Sequence, residues 1–223
     1  MSTTVIIPTK NEVIGVEKIL PQVKKEWADE WIVMDGNSKD GTVDAAKKLN
    51  FNVIQQTGKG AGNACREGVK HAHSENVLFF HPDGNCKPEY IPKLIKKLEE
   101  GNYDVVQISR FGKSGSSDDD DFLTAFGNRM FTFLVNIFFG GHLTDALYGY
   151  KIVKKKVFQD LNLDAEFLTL EQQISIRTSK FGLKITEIGG NEPARIGGER
   201  KMIPYIVGSQ LSKQIIKEFI FWK

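Results

Sequence analysis

The polar residues His81, Asp83 and Asn85 follow directly on a run of four apolar residues, Val77–Phe80. A short, continuous apolar run with β-branched and aromatic members is typical of a strand that is buried on both faces. Pro82 cannot donate a hydrogen bond to a sheet, so the strand should end there. Imidazole, carboxylate and amide groups at a strand end could hold a metal ion against a diphosphate. An ordinary strand exit with solvated polar residues explains the same pattern equally well.

Three more polar loops follow apolar runs along the chain: Pro8–Glu12, Asp35–Ser38 and the glycine-rich turn Gly58–Asn63. The carboxyl ends of parallel strands meet at one edge of a sheet, and open α/β folds bind their ligands at that edge. We therefore expect these three loops and His81–Asn85 to converge on one site.

The elements that would position these loops alternate regularly between strand and helix. We predict strands at 4–7, 31–34, 52–55, 77–80 and 104–109, with helices of suitable apolar spacing between them. This alternation indicates an α/β fold, a three-layer sandwich with a mostly parallel central sheet. Beyond residue 109 the rhythm breaks, and the pattern predicts helices at 122–139, near 171–181 and from about 203 to 222, with a strand at 183–188.

Length and composition indicate one globular domain that spans residues 1–223. The net charge of +2 gives no signal for nucleic-acid binding. The charge is uneven, however, because residues 151–223 hold 13 Lys and Arg against 8 Asp and Glu. This basic segment suggests an anionic partner, although a solvated basic surface is at least as common.

The two cysteines, Cys65 and Cys86, lack the spacing of a zinc site, form no disulfide framework and fit a reducing cytosol. The first strand begins almost at once, so we expect no signal peptide. The longest apolar segment, Phe131–Gly141, is far shorter than the ~20 residues that cross a bilayer. We therefore expect a cytoplasmic protein that is neither secreted nor membrane-spanning.

The segment Phe111–Asp121 is rich in Gly and Ser and ends in four aspartates, which predicts a mobile loop. Asp118–Asp121 could chelate a cation, but a solvated acidic loop is the commoner interpretation of such a run.

Four motifs, VIIPTKNE, VMDGNSKDGT, GKGAGNACREG and FFHPDGNCKP, in this order and spacing, resemble those of the GT-A glycosyltransferases of family 2. The second half resembles the dolichyl- or polyprenyl-phosphate sugar synthases of that family, through TDALYGY, the region of Phe167 and Glu171, and RIGGERK. The ordered set covers nearly the whole chain. It implies a GT-A fold and an inverting transfer from a UDP- or GDP-sugar, with residues 1–110 as the nucleotide-sugar half and 111–223 as the acceptor side.

The resemblance also implies roles for single residues on the donor side. Asp35 would accept a hydrogen bond from the base, although it could instead cap the following helix. Residues that would line the base and ribose are Pro8, Thr9, Asn11 and Glu12. Residues that would flank the base and phosphates are Lys59, Gly60, Asn63 and Arg66, but a tight turn needs glycine in any case.

At the metal corner, Asp83 matches the second Asp of the family's Asp-x-Asp motif, which holds a divalent cation, Mn²⁺ or Mg²⁺. The first Asp is replaced by His81, and Asn85 is a further candidate ligand. Imidazole prefers softer metals than Mg²⁺, so this departure bears on metal identity, on affinity and on catalytic competence. A second departure is Arg200, which stands where the family's Arg-x-x-Gly-Glu-Ser-Lys motif has Ser.

On the acceptor side, the resemblance implies a polyprenyl or dolichyl phosphate. Asp145, with Glu171 behind it, is the candidate base for an acceptor hydroxyl, although Asp145 could simply cap a helix. An acceptor phosphate, already ionised at neutral pH, needs little help from a base. Arg195, Arg200 and Lys201 would clamp that phosphate, because arginine forks onto phosphate oxygens.

Two interpretations of the apolar segments stay open. The aromatic helix at 122–139 and the C-terminal stretch IIKEFIFWK could rest on a lipid surface, or they could pack on the core or on a second subunit of a homo-oligomer. Two other functions also stay open: a soluble glycosyltransferase with a small hydroxyl or phosphorylated acceptor, and, because of His81, a non-catalytic nucleotide-sugar-binding module.

Overall fold

The computed structural model describes residues 1–197 and 203–220. The strands within these ranges are β1 (Thr3–Thr9), β2 (Glu30–Asp35), β3 (Asn52–Gln55), β4 (Asn76–Phe79), β5 (Val105–Ser109), β6 (Ser116–Ser117), β7 (Lys151–Lys154), β8 (Ile185–Gly189) and β9 (Asn191–Glu192). The α-helices are α1 (Val13–Ile19), α2 (Thr42–Lys48), α3 (Ala61–His71), α4 (Tyr90–Gly101), α5 (Phe122–Phe139), α6 (Lys155–Asp160), α7 (Thr169–Lys180) and α8 (Pro204–Ile220).

Seven strands form the central sheet, in the order β3-β2-β1-β4-β7-β5-β8. Neighbouring strands are parallel except at β7, which runs antiparallel between β4 and β5. Helices cover both faces, so the predicted α/β/α sandwich with a mostly parallel sheet is confirmed. Because β7 and β8 come from the second half of the chain, residues 1–110 and 111–223 share one sheet.

No strand was predicted at Lys151–Lys154, because lysine is rarely found in a buried strand. Lys151 is completely buried in the sheet, and its Nζ lies 3.3 Å from a carboxylate oxygen of Glu171. Lys154 Nζ pairs with Asp104 at 3.0 Å. A charged side chain is tolerated inside a sheet when an opposite charge accompanies it. The sequence did not reveal these pairs, because neither partner is close to its lysine along the chain.

The core lies in two layers, because side chains alternate between the faces of the sheet. In β1, Val5 and Ile7 pack with the apolar faces of α1, α2 and α4. Ile6, between them, points to the other layer, where it packs with residues of α3, α6 and α7. Both layers anchor the strands whose ends form the site.

The C-terminal helix α8 is fixed to α7 by a buried ion pair. Arg177 Nη2 lies 2.8 Å from Oε1 of Glu218, and both side chains are almost completely buried. Glu218 also accepts hydrogen bonds from Gln173 and Gln214. An apolar cluster also joins α8 to α5 and α7, so the position of α8 on the domain is fixed by both kinds of contact.

The outer sides of α5 and α8 expose apolar side chains to solvent. We call this surface the apolar face; it comprises Phe122, Leu123, Phe126, Met130, Phe133, Ile137 and Phe138 on α5, and Ile206, Ile216, Phe219 and Ile220 on α8. The rings of Phe138 and Phe219 lie 5.5 Å apart, which joins the two helices into one surface. Exposed apolar patches of this kind mark interaction surfaces.

Helix α5 modifies the expectation about membranes. By length and composition alone, this 18-residue helix could cross a bilayer, and it is the only helix of that kind in the described ranges. We had compared only the apolar segment Phe131–Gly141 with the width of a bilayer, and the first half of the helix contains the polar Thr124, Asn128 and Arg129. One side of α5 is occupied by the domain, with Phe131, Val135 and Phe139 in the core.

Candidate functional site

The loops that follow β1, β2, β3 and β4 meet at the carboxyl edge of the sheet, as expected. The Asn11 backbone N–H donates to the Ser38 hydroxyl at 2.9 Å, and the Lys39 N–H donates to the Asn11 side chain at 2.9 Å. The turn after β4 lies against the start of α1, where a Cβ on Gly15 would come within 2.2 Å of the Pro82 carbonyl oxygen. These contacts bring the polar residues of the loops together at one edge of the sheet.

Asp35 is completely buried at the end of β2. Its carboxylate accepts hydrogen bonds from the Thr9 hydroxyl at 3.3 Å, the Ser38 N–H at 2.9 Å and the Gln55 amide at 3.0 Å. These donors fix the carboxylate at the junction of the first three loops. Asp35 does not cap α2, whose N-cap residue is Gly41. A contact between Asp35 and a nucleotide base stays a prediction.

The glycine-rich turn is closed from above by the segment 165–167, just before α7. Gly60 has φ +87°, and a Cβ there would come within 2.3 Å of the Glu166 carbonyl oxygen. The Asn63 N–H donates to that oxygen at 3.0 Å. Lys59 is exposed at the tip, and Arg66 reaches the Leu163 carbonyl at 3.4 Å. Glycine is thus required here by close backbone approach as well as by the turn.

Glu67, on helix α3, supports this turn and was not among the predicted site residues. Its carboxylate accepts hydrogen bonds from the N–H groups of Thr57 and Gly58 and from the Asn63 amide. Burial opposes its ionisation, but these hydrogen bonds prevail and lower the pKa of Glu67 to about 2. Glu67 is therefore the internal anion that shapes the turn.

In the turn after β4, where we predicted a metal site, Asp83 faces an arginine. Arg195 Nη2 lies 2.7 Å from Asp83 Oδ2, and Arg195 Nη1 lies 3.2 Å from Glu12 Oε1. The Asn85 N–H donates to Asp83 Oδ1 at 3.1 Å, and the Asn85 amide donates to the Pro193 carbonyl at 2.7 Å. Arg195, predicted for the acceptor phosphate, thus lies at the predicted metal ligand. Arg200 and Lys201 lie outside the described residues.

His81 and Glu171 flank Gly149 from two elements. A Cβ on Gly149 would lie 3.1 Å from His81 Nε2 and 3.5 Å from the Glu171 carboxylate. Glu171 is almost completely buried, and burial raises the pKa of its carboxyl, although Lys151 and His81 oppose the rise. A buried carboxyl of raised pKa beside a cation is a common feature of functional sites.

Asp145 is completely buried and held by Arg110, which the sequence analysis missed. Arg110 Nε lies 2.7 Å from Asp145 Oδ2, and Arg110 Nη2 lies 3.1 Å from Oδ1. Arg110 also pairs with Asp120 at 3.3 Å and with Glu192 at 3.4 Å. Arg110 directly follows β5, so the rule that located the other strand-end residues could have found it. The structure places Asp145 in this buried ion-pair cluster, away from any role as a helix cap.

Two aspartates of the acidic loop 118–121 make specific contacts. Asp120 joins the Arg110 cluster, and the Asp121 side chain accepts a hydrogen bond from the Thr124 N–H at 2.7 Å, which caps α5. The interpretation of this loop as solvated was therefore wrong for Asp120, whose side chain is buried, whereas Asp121 is exposed as expected.

In the part of the chain that the structure describes, no group of three or more His, Cys, Asp or Glu side chains is placed to hold a metal ion. A protein-only metal cage is therefore not present there. Magnesium-type sites often use one or two carboxylates and complete their coordination with substrate phosphates and water. The single carboxylate of Asp83 suits that second arrangement.

Comparison with known proteins gives consistent matches. Residues 4–161 match the family model described as glycosyl transferase family 2. Glycosyltransferase AglJ of Haloferax volcanii is 29% identical over 82% of this chain, which spans only 60% of that protein. A dolichyl-phosphate hexose transferase of the same organism is 27% identical, over 96% of this chain and 92% of its own length.

Among solved structures, the fold is similar to that of glucosyl-3-phosphoglycerate synthase from Mycobacterium tuberculosis. The TM-score is 0.73, with 20% identity, over 96% of this chain and 77% of that one. That structure is a complex with Mn²⁺, UDP and glucosyl-3-phosphoglycerate. At this identity the likeness establishes the GT-A type of α/β fold.

Proposed function

Because the chain belongs to glycosyl transferase family 2 and is a glycosyltransferase, we propose that it moves a sugar from a nucleoside diphosphate sugar to a polyprenyl or dolichyl phosphate. The observation that carries the proposal is the convergence of four polar loops at the carboxyl edge of the sheet, where this fold class binds its ligands. The dolichyl-phosphate hexose transferase relative supports the lipid acceptor.

In this proposal the donor nucleotide, UDP or GDP, lies across the ends of β1, β2 and β3. Asp35 is held rigidly by its donors, so it can present a fixed acceptor to a base N–H. The other residues proposed to contact the base, ribose or phosphates are Pro8, Thr9, Asn11, Glu12, Lys59, Gly60, Asn63 and Arg66.

The divalent cation would bind at Asp83, with His81 and Asn85 as further candidate ligands. The residues fit, because a hard carboxylate at a strand end can share a cation with a diphosphate. When bound, the cation would neutralise the charge that builds on the leaving diphosphate. The Mn²⁺ and UDP in the structural neighbour support this cofactor.

The acceptor phosphate, already ionised, would attack the anomeric carbon with inversion, so no strong base is required. We propose that Glu171 lies nearer this reaction than Asp145 does. Glu171 borders the predicted metal corner through Gly149 and His81, whereas both Asp145 oxygens are bound by Arg110. Asp145 would then be a positioning residue that holds Arg110 at the end of β5.

The lipid tail of the acceptor would lie along the membrane on which the apolar face rests. Half-exposed aromatic and aliphatic side chains on two joined helices suit the boundary between headgroups and acyl chains. We propose a peripheral protein at the cytoplasmic side of a membrane, with Arg195, Arg200 and Lys201 near the lipid phosphate.

The test is a transfer assay with a panel of UDP- and GDP-sugars, Mn²⁺ or Mg²⁺, and polyprenyl phosphate in detergent or vesicles. We expect one nucleotide sugar to give a labelled glycolipid. Labelled product from phosphoglyceric acid, but not from the lipid, would favour a small phosphorylated acceptor. Donor binding without transfer or hydrolysis would indicate a non-catalytic module and overturn the proposal.

A further inference from the structure

The guanidinium of Arg195 bridges two carboxylates of the candidate site. It pairs with Asp83 at 2.7 Å and with Glu12 at 3.2 Å, and both carboxylates are largely buried. The Asn85 N–H occupies the other oxygen of Asp83. Both oxygens of Asp83 are thus engaged, and the single positive charge of Arg195 is shared between the carboxylates of Asp83 and Glu12.

The segment 193–197, which carries Arg195, is attached to the turn after β4 through contacts that do not involve the guanidinium. The Ile196 N–H donates to the Asp83 carbonyl at 3.0 Å, and the Pro193 carbonyl accepts from Asn85. Gly84 has φ +97°, and a Cβ there would lie 2.8 Å from the Ile196 side chain. The Arg195 side chain can therefore leave Asp83 while its backbone stays in place.

We infer that Arg195 is a resident competitor of the divalent cation: its guanidinium neutralises Asp83 when no metal is bound and must swing away before a metal ion coordinates that carboxylate. The inference rests on the proposed function, since it takes Asp83 as the metal ligand. Its physical basis is electrostatic: a guanidinium 2.7 Å from Asp83 Oδ2 already compensates the carboxylate charge, and a divalent cation at that carboxylate would meet this positive charge at close range.

Competition of this kind lowers the apparent affinity for the metal by the fraction of time that Asp83 is free. If the ion pair is formed about nine-tenths of the time, the metal binds about tenfold more weakly than to a free carboxylate. The released guanidinium is a fork that suits phosphate oxygens. Metal binding at Asp83 and capture of an anion by Arg195 should therefore favour one another.

The experiment is a titration of the full chain with Mn²⁺ at a fixed concentration of UDP, with free Mn²⁺ followed by electron paramagnetic resonance. Arg195→Gln should bind Mn²⁺ about tenfold more tightly than wild type. Arg195→Lys, which keeps the charge but cannot bridge both carboxylates, should lie between the two. Thermal unfolding checks that each variant is folded.

The matched control is Lys87→Gln, which removes one positive charge from the same turn without touching Asp83. Lys87 forms no ion pair within the described residues. Its Mn²⁺ affinity should stay within about twofold of wild type. Equal tightening in Lys87→Gln and Arg195→Gln would show a general charge effect and overturn the inference.

Two other results would also overturn it, and they differ in what they mean for the proposed function. Equal Mn²⁺ affinity in wild type and Arg195→Gln would disprove the competition but leave the proposed metal site intact. Absence of Mn²⁺ binding in every variant, with UDP still bound, would also disprove the proposed metal site at Asp83.

Discussion

Asp35 shows how a single buried carboxylate can hold several loops for a ligand. We predict that Asp35→Ala weakens binding of the preferred nucleotide by about 1–3 kcal/mol, the usual cost of a lost hydrogen bond to a charged group. Calorimetric titration with UDP and GDP measures the change. Asp35→Asn, which keeps the shape and an acceptor oxygen, should lose less. Unchanged affinity for both nucleotides in Asp35→Ala would contradict the proposed contact.

Glu67 gives a prediction about pH. The pKa of its carboxyl lies near 2 in the folded protein and at 4.5 ordinarily, so folding favours the ionised form. Its contribution to stability is complete above about pH 4.5 and disappears as the pH falls towards 2. Glu67→Gln should therefore be less stable than wild type at pH 6, and the difference should shrink on acidification.

Chemical unfolding at several pH values between 3 and 6 tests this expectation, with the exposed α1 substitution Glu17→Gln as control. The control should follow wild type throughout. A constant difference between Glu67→Gln and wild type across that pH range would show that the carboxylate acts by shape and not by charge.

At the residue scale, the sequence located polar groups at strand ends: Asp35 ends β2, Asp83 lies in the turn after β4, and Arg110, which follows β5, obeys the same rule. The roles of Asp35 and Asp83 towards a ligand stay predictions. Its partners were not predictable, because Asp145 and Glu192 lie 35 and 82 residues away along the chain. Likewise, nothing local in the sequence pairs Arg195 with Asp83, which requires a contact across 112 residues.

At the scale of elements, the seat of α8 depends on the buried pair between Arg177 and Glu218. We predict that Glu218→Gln lowers the free energy of unfolding by about 3–5 kcal/mol, because it leaves a buried guanidinium without its counter-charge. Urea unfolding measures this loss. The matched control is Lys217→Ala on the same helix, whose exposed pair with Asp164 should be worth less than about 1 kcal/mol.

A loss below 1 kcal/mol in Glu218→Gln would mean that water or another group compensates Arg177, and the role given to this pair would be wrong.

The elements themselves were largely predictable: β3 and α5 agree with the sequence analysis at both ends. The antiparallel β7 was not, since its lysines hide its burial and its neighbours in the sheet come from distant parts of the chain.

At the scale of the whole molecule, the apolar face is the surface that we propose rests on a membrane. We predict that Phe126→Ser with Phe133→Ser reduces binding to anionic vesicles about 30-fold, at roughly 1 kcal/mol for each half-inserted ring. Sedimentation with vesicles measures the change. Phe181→Ser, an exposed aromatic beside Leu161 and Leu183 and outside the apolar face, is the control.

If the wild type does not sediment with vesicles but forms a dimer that the double substitution dissociates, the apolar face is a contact between two copies of the chain. The sequence predicted both uses of this surface and could not choose between them, because an apolar stripe has the same composition against lipid and against protein. The fold class followed from local alternation, but the joining of α5 and α8 into one surface needed their tertiary packing.

The position of β7 in the sheet also limits when the sheet can be completed during synthesis. One edge of the apolar strand β4 pairs with β7, which lies about 70 residues further along the chain. This edge stays uncovered until β7 has been synthesised. A ribosome that adds about 5–20 residues per second takes roughly 4–14 seconds to synthesise that stretch. During this interval the nascent chain carries an uncovered apolar strand, a known starting point for aggregation. Slow synthesis or crowded expression should therefore reduce the yield of soluble protein even when the completed fold is stable.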